Sequence, residues 1–490
     1  LFNIDMLTER LRITSDPTPS VEDVSVGYIN HPTADFQTYS VFDVSGDVPV
    51  YTEAAQFRNQ QLESLRAGSI KNPILNNCPD FQEGRESRRS MYLHVRSLYD
   101  TQQVRAVENS ERTLEDDMID ANIALKINEL GFIETAALLA EKSLEPVVAR
   151  NIAEILRDAG QEIYGLPDRN IALTLLAKRL EDVALLASVD NEVVQSIAQY
   201  VAEHVSMPKD YKPTPFIKLD NGTLEYYETI ILNECRKDVE AAFKAVGEKT
   251  IYSPEDMRQI YNNYLELRGF TASGWQAQVI AGRTGCSTNL AEGIVEIGAE
   301  RPVSSRGYAA VLKSMIHEIE VHVGRSVRGQ QMGTGLAGKG LAQYTFFEEP
   351  FAGSVEDMYL HKSSQRGEPY TVAIALSAGM DGTPRDYRDS YELLWRMSFA
   401  RRFKTDTPIC DQINAAQKAA NSTLVRIWRG MPTDIPGCIF TKDRSYENTD
   451  IISYLQKGGR VLPRADFLRL LSAKYDPRDP KQNAYIRQFS

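Results

Sequence analysis

In the stretch KSMIHEIEVHVGRS, Lys313 to Ser326, two histidines enclose Glu318 and Glu320. Neutral imidazole is the commonest protein ligand for Zn²⁺, and a catalytic zinc takes three protein ligands and keeps one position open for water. Glu318 directly follows His317, where a carboxylate can take the proton of such a water as general base. The spacing departs from the common His-Glu-x-x-His arrangement, because His317 and His322 are five apart. On an α-helix, positions i and i+4 lie about 40° apart and positions i and i+5 about 140° apart. A straight α-helix therefore does not aim both rings at one ion. A π-bulge, with its i→i+5 hydrogen bond, brings them together. The metal reading thus predicts a helix distorted between Ile319 and His322. The competing reading is an ordinary polar helix face with Glu318 and Glu320 in water.

A third ligand must come from another segment. Downstream, FFEEPFAGSVEDMYLHK opens an apolar, helix-like run with Glu348 and Glu349, and Pro350 suits a first helical turn, where its missing N–H does no harm. The intervening GRSVRGQQMGTGLAGKGLAQY is Gly-rich enough to reverse the chain. A glutamate on a second helix, packed antiparallel to the first, can then complete the set.

Three kinds of element must position these groups. Residues 1–105 read as an irregular segment, with turn-rich text such as TSDPTPS and KNPILNNCPDFQEG. Residues 106–210 carry apolar residues at three- and four-residue spacing, as in IETAALLAEKSLEPVVARNIAEILRDAG, and predict two or three long helices packed as a bundle. SMPKDYKPTPF, with three prolines, reads as a linker. Residues 211–490 read as the catalytic unit. There SPEDMRQIYNNYLELRG has a Ser N-cap and a Gly stop, while GWQAQVIAG and GIVEIGAE alternate as strands do. A helix follows from about Ser305 to Arg325, and YTVAIALS stays open between strand and helix.

The chain has 490 residues, which predicts two or three packed units. Its net charge of −12 argues against generic binding to nucleic acid or acidic membranes, so an anionic substrate needs a local basic patch. The basic pieces GRSVRG, ARRFK and VRIWRG can supply one. No apolar run approaches the ~18 residues of a membrane helix. Five scattered cysteines, Cys78, Cys235, Cys286, Cys410 and Cys438, form no CxxC pair. They argue against a disulfide framework or thiolate zinc site and point to a reducing, cytoplasmic compartment.

HEIEVH, then EEPFA, then VRIWRGMPTDIPGCIFTKDRSY, in this order, resemble the microtubule-associated tyrosine carboxypeptidases and their bacterial relatives, over roughly residues 270–455. That family carries His-Glu-x-x-x-His, a later Glu-Glu-Gly-Leu-Ala, and a C-terminal Arg-Gly…Pro-Gly-Cys…Thr-Lys-Asp. The resemblance implies that His317, His322 and Glu349 bind zinc, that Glu318 is the catalytic base, and that Glu348 lies behind the ligands or in the cleft. Arg325 stands where the family has an arginine, and its chemistry suits a substrate carboxylate, although a cation at a helix C-terminus reads equally well. Arg429 and Lys442 either line the cleft or hold the fold. Cys438 reads as a packed residue rather than a nucleophile. Pro350 and Phe351 replace Gly-Leu, and Glu320 and Val321 replace a smaller or more polar pair, which bears on substrate choice. Eukaryotic members remove the C-terminal tyrosine of tubulin; the N-terminal segment here has no basic arm for microtubules, which favours a different substrate.

The expectation is an α+β, mostly α protein: a helical N-terminal region followed by a zincin-like metallopeptidase domain with a small sheet. Its expected activity is zinc-dependent removal of a C-terminal residue, tyrosine included, from a protein or peptide. The alternatives are a zinc hydrolase of small amides or esters and a non-enzymatic regulatory protein that has kept the motif.

Overall fold

The computed structural model describes residues 20–35, 53–75, 85–108, 112–139, 144–215, 217–361 and 366–489. Cys78 and most of the two turn-rich N-terminal stretches lie outside these residues. Among the described residues the chain is mostly helical, with one three-stranded sheet.

The first helices are α1 (Val21–Ile29), α2 (Glu53–Arg66), α3 (Arg85–Glu108), α4 (Leu114–Leu139), α5 (Pro146–Tyr164), α6 (Arg169–Leu186) and α7 (Glu192–His204). The segment expected to be irregular up to residue 105 thus contains three helices. Helix α1 has only nine residues, and α2 and α3 are polar, with only scattered residues such as Leu65 and Val95 buried, so the apolar period that marks a helix is faint in this segment. The SMPKDYKPTPF stretch forms no helix or strand in its described residues, as its prolines dictate. Helix α8 (Asn221–Val246) starts on an Asp220 cap. Helix α9 (Pro254–Leu267) starts on a Ser253–Asp256 capping box and is followed by Gly269 in the left-handed region.

Strands β1 (Gln276–Ile280), β2 (Cys286–Asn289) and β3 (Ile294–Gly298) lie in the order β1-β3-β2, with β1 parallel and β2 antiparallel to β3. The central β3 is buried along its whole length. β2 reads Cys-Ser-Thr-Asn, with no apolar alternation to announce it.

Next comes one continuous helical run: α10 (Tyr308–Met315), a π-helix (Ile316–Val323) and α11 (Gly324–Gln330). The short α12 (Leu336–Lys339) folds back on α11. Gly329 and Gly338 permit this approach, since a Cβ on Gly329 would sit 2.6 Å from the Ala337 carbonyl oxygen and one on Gly338 2.7 Å from that of Ser326. The Gly-rich reversal leads into α13 (Thr345–Tyr359), which packs on the π-helix. The remaining helices are α14 (Glu368–Ala378), α15 (Tyr387–Arg402), α16 (Ile409–Trp428), α17 (Thr449–Leu455), α18 (Arg464–Leu470) and α19 (Pro480–Arg487). YTVAIALS is therefore helical, within α14.

The apolar interior falls into two clusters. One joins α1, α8, α9, the sheet, the π-helix, α13 and the C-terminal helices. The other joins α5, α6 and α7 to α14, α15 and α16. Helix α4 contributes to both. The helices of residues 106–210 thus share a core with helices more than 150 residues downstream in the chain and do not close one among themselves. No helix among the described residues is long and apolar enough to cross a membrane.

Candidate metal centre

The distortion demanded by the five-residue spacing is present: Ile316–Val323 is π-helical, flanked by regular α-helix on both sides. It brings the rings of His317 and His322 to 4.8 Å between centroids, inclined by 68°. Potential ligand atoms of His317, His322 and Glu349 lie within 4.8 Å of one another, the one such cluster among the described residues. His317 Nε2 and Glu349 Oε2 are 3.9 Å apart, too far for a hydrogen bond and close enough to share an ion.

The other nitrogen of each ring is already engaged. His317 Nδ1 is 2.8 Å from Glu356 Oε1, and His322 Nδ1 is 2.9 Å from Glu348 Oε2. With Nδ1–H donating to a carboxylate, Nε2 of each imidazole keeps its lone pair for a cation, the usual support of metal-bound histidine. Burial disfavours a charged His317, but the bond to Glu356 and the charges of Glu318, Glu356 and Glu349 outweigh it and raise the group to about 9. A pocket that draws a proton onto a buried imidazole this strongly is electrostatically prepared for a cation.

Both supporting carboxylates are themselves held. Glu348 is buried and accepts from Lys474 Nζ at 2.9 and 2.8 Å and from Arg325 Nη1 at 3.1 Å. Burial opposes its charge, but Lys474, His322 and Arg325 keep its carboxyl far below the usual range. Glu356 pairs with Arg366 at 2.6 Å and with Lys313 at 3.2 Å.

Glu318 lies beside the cluster. Thr288 Oγ1 on β2 is 2.8 Å from its Oε2 and 3.2 Å from its backbone oxygen. The edge strand therefore fixes the carboxylate and also supplies a partner to a carbonyl of the π-helix. Glu320 departs from the polar-face reading. It is 3 % exposed and turned inward, taking Arg268 Nη2 at 3.0 Å, Arg328 Nη2 at 2.6 Å and the Tyr264 hydroxyl at 3.0 Å. Arg268 follows α9 and Arg328 sits in α11, so this buried carboxylate ties the π-helix to the end of α9 and to the next stretch of its own helical run.

Pro350 is not in the first turn of α13 but inside it. A proline there removes one intrahelical donor to the carbonyl four residues back, which belongs to Phe346. Arg478 Nη2 serves that carbonyl instead, at 3.3 Å.

Three expected substrate-binding residues fare differently. Arg325 is fully buried; its Nε and Nη2 donate to the carbonyls of Ala473 and Tyr475, and its Nη1 to Glu348. It can neither grip a substrate carboxylate nor serve as a helix-terminal cation, because it stabilises Glu348 behind the histidine. Arg429 is also buried, with Nη2 3.0 Å from Asp443 and its guanidinium 5.2 Å from the Phe440 ring centre, so it holds the fold. Lys442 is buried too: burial pushes its ammonium down, while the charges of Asp443 and Glu349 pull it back up. Of the basic pieces, GRSVRG turns Arg325 and Arg328 inward, whereas VRIWRG reaches the turn Lys442–Tyr446, which packs on α13. Cys438 is buried, which pushes its thiol up to about 12, as fits a packed residue.

Sequence reasoning missed Thr288, Glu356 and Lys474. Glu356 follows Glu349 by seven residues, two helical turns on one face, and that spacing was a usable signal. Thr288 sits in a strand without apolar alternation, and Lys474 lies in a stretch with no motif. No family model, curated protein or solved structure matches the chain.

Proposed function

We propose that this chain is a zinc-dependent metallopeptidase of the carboxypeptidase type, removing a C-terminal residue, tyrosine among the candidates, from a protein or peptide. The observation that carries this reading is the π-helical register that gathers His317, His322 and Glu349 with Nδ1 of both rings engaged by carboxylates. The donor set, two imidazoles and one carboxylate, suits a catalytic zinc with an open position. Zinc, when bound, supplies a Lewis acid that acidifies a water and polarises a carbonyl. Glu318, held by Thr288, accepts a proton from the attacking water and returns it to the leaving amine nitrogen. Glu348 and Glu356 keep the two rings oriented throughout. The resemblance to tyrosine carboxypeptidases supports the C-terminal position of cleavage.

The test is mass spectrometry of peptides varied at their last residue, incubated with the zinc-loaded protein and with Glu318→Gln. Loss of one C-terminal residue with the native chain alone is expected. Intact peptides throughout, with zinc verified in the protein, contradict the peptidase reading and leave small amides and esters as substrates.

A further inference from the structure

A cavity of ≈ 50 Å³ lies between helix α4 and residues 339–346, the chain that leads from the Gly-rich reversal into α13, and none of the candidate metal ligands lines it. At roughly 10–15 Å³ for each water-sized group it has room for about four. Asn122, Lys126 and Glu129 of α4 line one side, and their four- and three-residue spacings put them on one helix face. Asn122 is 3 % exposed. Its Nδ2 donates to the Gly340 carbonyl at 2.8 Å. That bond fixes the amide's orientation and leaves Oδ1 buried with no partner among the described residues, a costly state for an acceptor. Glu129 is buried as well; its Oε2 takes Lys126 Nζ at 2.9 Å, and its Oε1 takes no hydrogen bond among the described residues. This side of the cavity therefore offers two acceptors to a donor.

The other side offers donors. Helix α13 begins there at Thr345, without a side-chain cap. Gln343 stands in the left-handed region at φ 61, and Tyr344 after it is right-handed at φ −52. Consecutive residues of opposite hand turn their N–H groups toward one side and make a concave seat for an anion. The Tyr344 N–H donates to the Leu341 carbonyl at 3.1 Å, whereas those of Gln343 and Thr345 make no hydrogen bond among the described residues. The positive end of the α13 dipole adds to the same seat. Tyr344 also links the cavity to the metal centre: its ring centre is 5.1 Å from Lys474 Nζ, which donates to Glu348.

We propose that this cavity binds a small free α-amino acid, of the size of glycine or alanine. Its ammonium donates to Asn122 Oδ1 and Glu129 Oε1, and its carboxylate is received by the N–H groups of Gln343 and Thr345 at the head of α13. Both halves of the zwitterion then form charge-assisted bonds, and the buried amide oxygen gains its donor. The site is separate from the metal centre and does not depend on the peptidase reading.

The test is titration calorimetry of the zinc-reconstituted native chain with glycine, alanine, leucine, acetate and methylammonium. Glycine or alanine is expected to bind saturably at or below about 1 mM. Acetate and methylammonium, each lacking one half of the zwitterion, bind about tenfold or more weakly, and leucine is excluded by its size. Asn122→Leu and Glu129→Gln each weaken glycine binding by about tenfold. His317→Ala, in which the metal centre is broken, binds glycine as the native chain does. No saturable binding of glycine or alanine overturns the proposal, as does acetate, methylammonium or leucine binding as tightly as they do. Loss of binding in His317→Ala places the amino acid on the metal and overturns it too, as does native affinity in both cavity variants. If Asn122→Leu does not fold, Glu129→Gln and the ligand series decide the matter.

Discussion

His322 Nδ1 and Glu348 Oε2 are 2.9 Å apart, while the adjacent Glu349 belongs to the ligand cluster itself. Two consecutive glutamates on one helix thus serve one centre in two ways, the first orienting an imidazole and the second offering a ligand. Replacing Glu348 by Gln removes the charge that holds the ring and leaves Lys474 and Arg325 facing a neutral group. Zinc affinity should fall about 10- to 100-fold, read by competition with a chelating dye. An unchanged affinity would show that Glu348 does not position His322.

Glu320 ties the π-helix to Arg268, Arg328 and Tyr264. Breaking a buried ion pair from one side costs about 3–5 kcal/mol. Glu320→Gln should lose stability on that scale in urea unfolding. It should also weaken zinc binding in the protein that remains folded, because a π-helix without this anchor can relax toward the α register that separates the two histidines. Native stability together with native zinc affinity would contradict this role.

The helix, the two histidines and the odd spacing were legible because metal chemistry and helix geometry conflict there, and only a π register reconciles them. Glu349 could be placed because the Gly-rich stretch reverses the chain, and Gly329 and Gly338 are the positions where a side chain would collide with backbone. Arg325 was misread for a physical reason: its distance along the helix from His322 is visible in sequence, but its partners, the carbonyls of Ala473 and Tyr475, come from the far end of the chain. The same applies to Lys474. Of the N-terminal helices, α1 was hidden by its length of nine residues and α2 and α3 because polar helices of this kind bury few residues each; β2 was hidden because its four residues show no apolar alternation.

Asp443 gives a pH dependence. Burial alone would raise its carboxyl, but Arg429, Arg426 and Lys442 hold it below its ordinary value of 3.8. A carboxyl depressed in the folded state contributes stability that is fully present above about pH 3.8 and is lost as the pH falls through the folded value. Asp443→Asn should therefore be destabilised at neutral pH, and its gap to the native chain should narrow below pH 3.8. Thermal unfolding of both proteins across that range checks the sign; a gap that stays constant or widens in acid contradicts the assignment.

His317, His322 and Glu349 are expected to hold one metal ion together, with Glu318 outside the ligand set. Zinc stoichiometry measured on the purified, metal-reconstituted protein tests it directly. One equivalent is expected for the native chain and for Glu318→Gln, with loss of tight binding in His317→Ala, His322→Ala and Glu349→Ala. Full zinc binding by any of those three variants, or none by the native chain, would contradict the account.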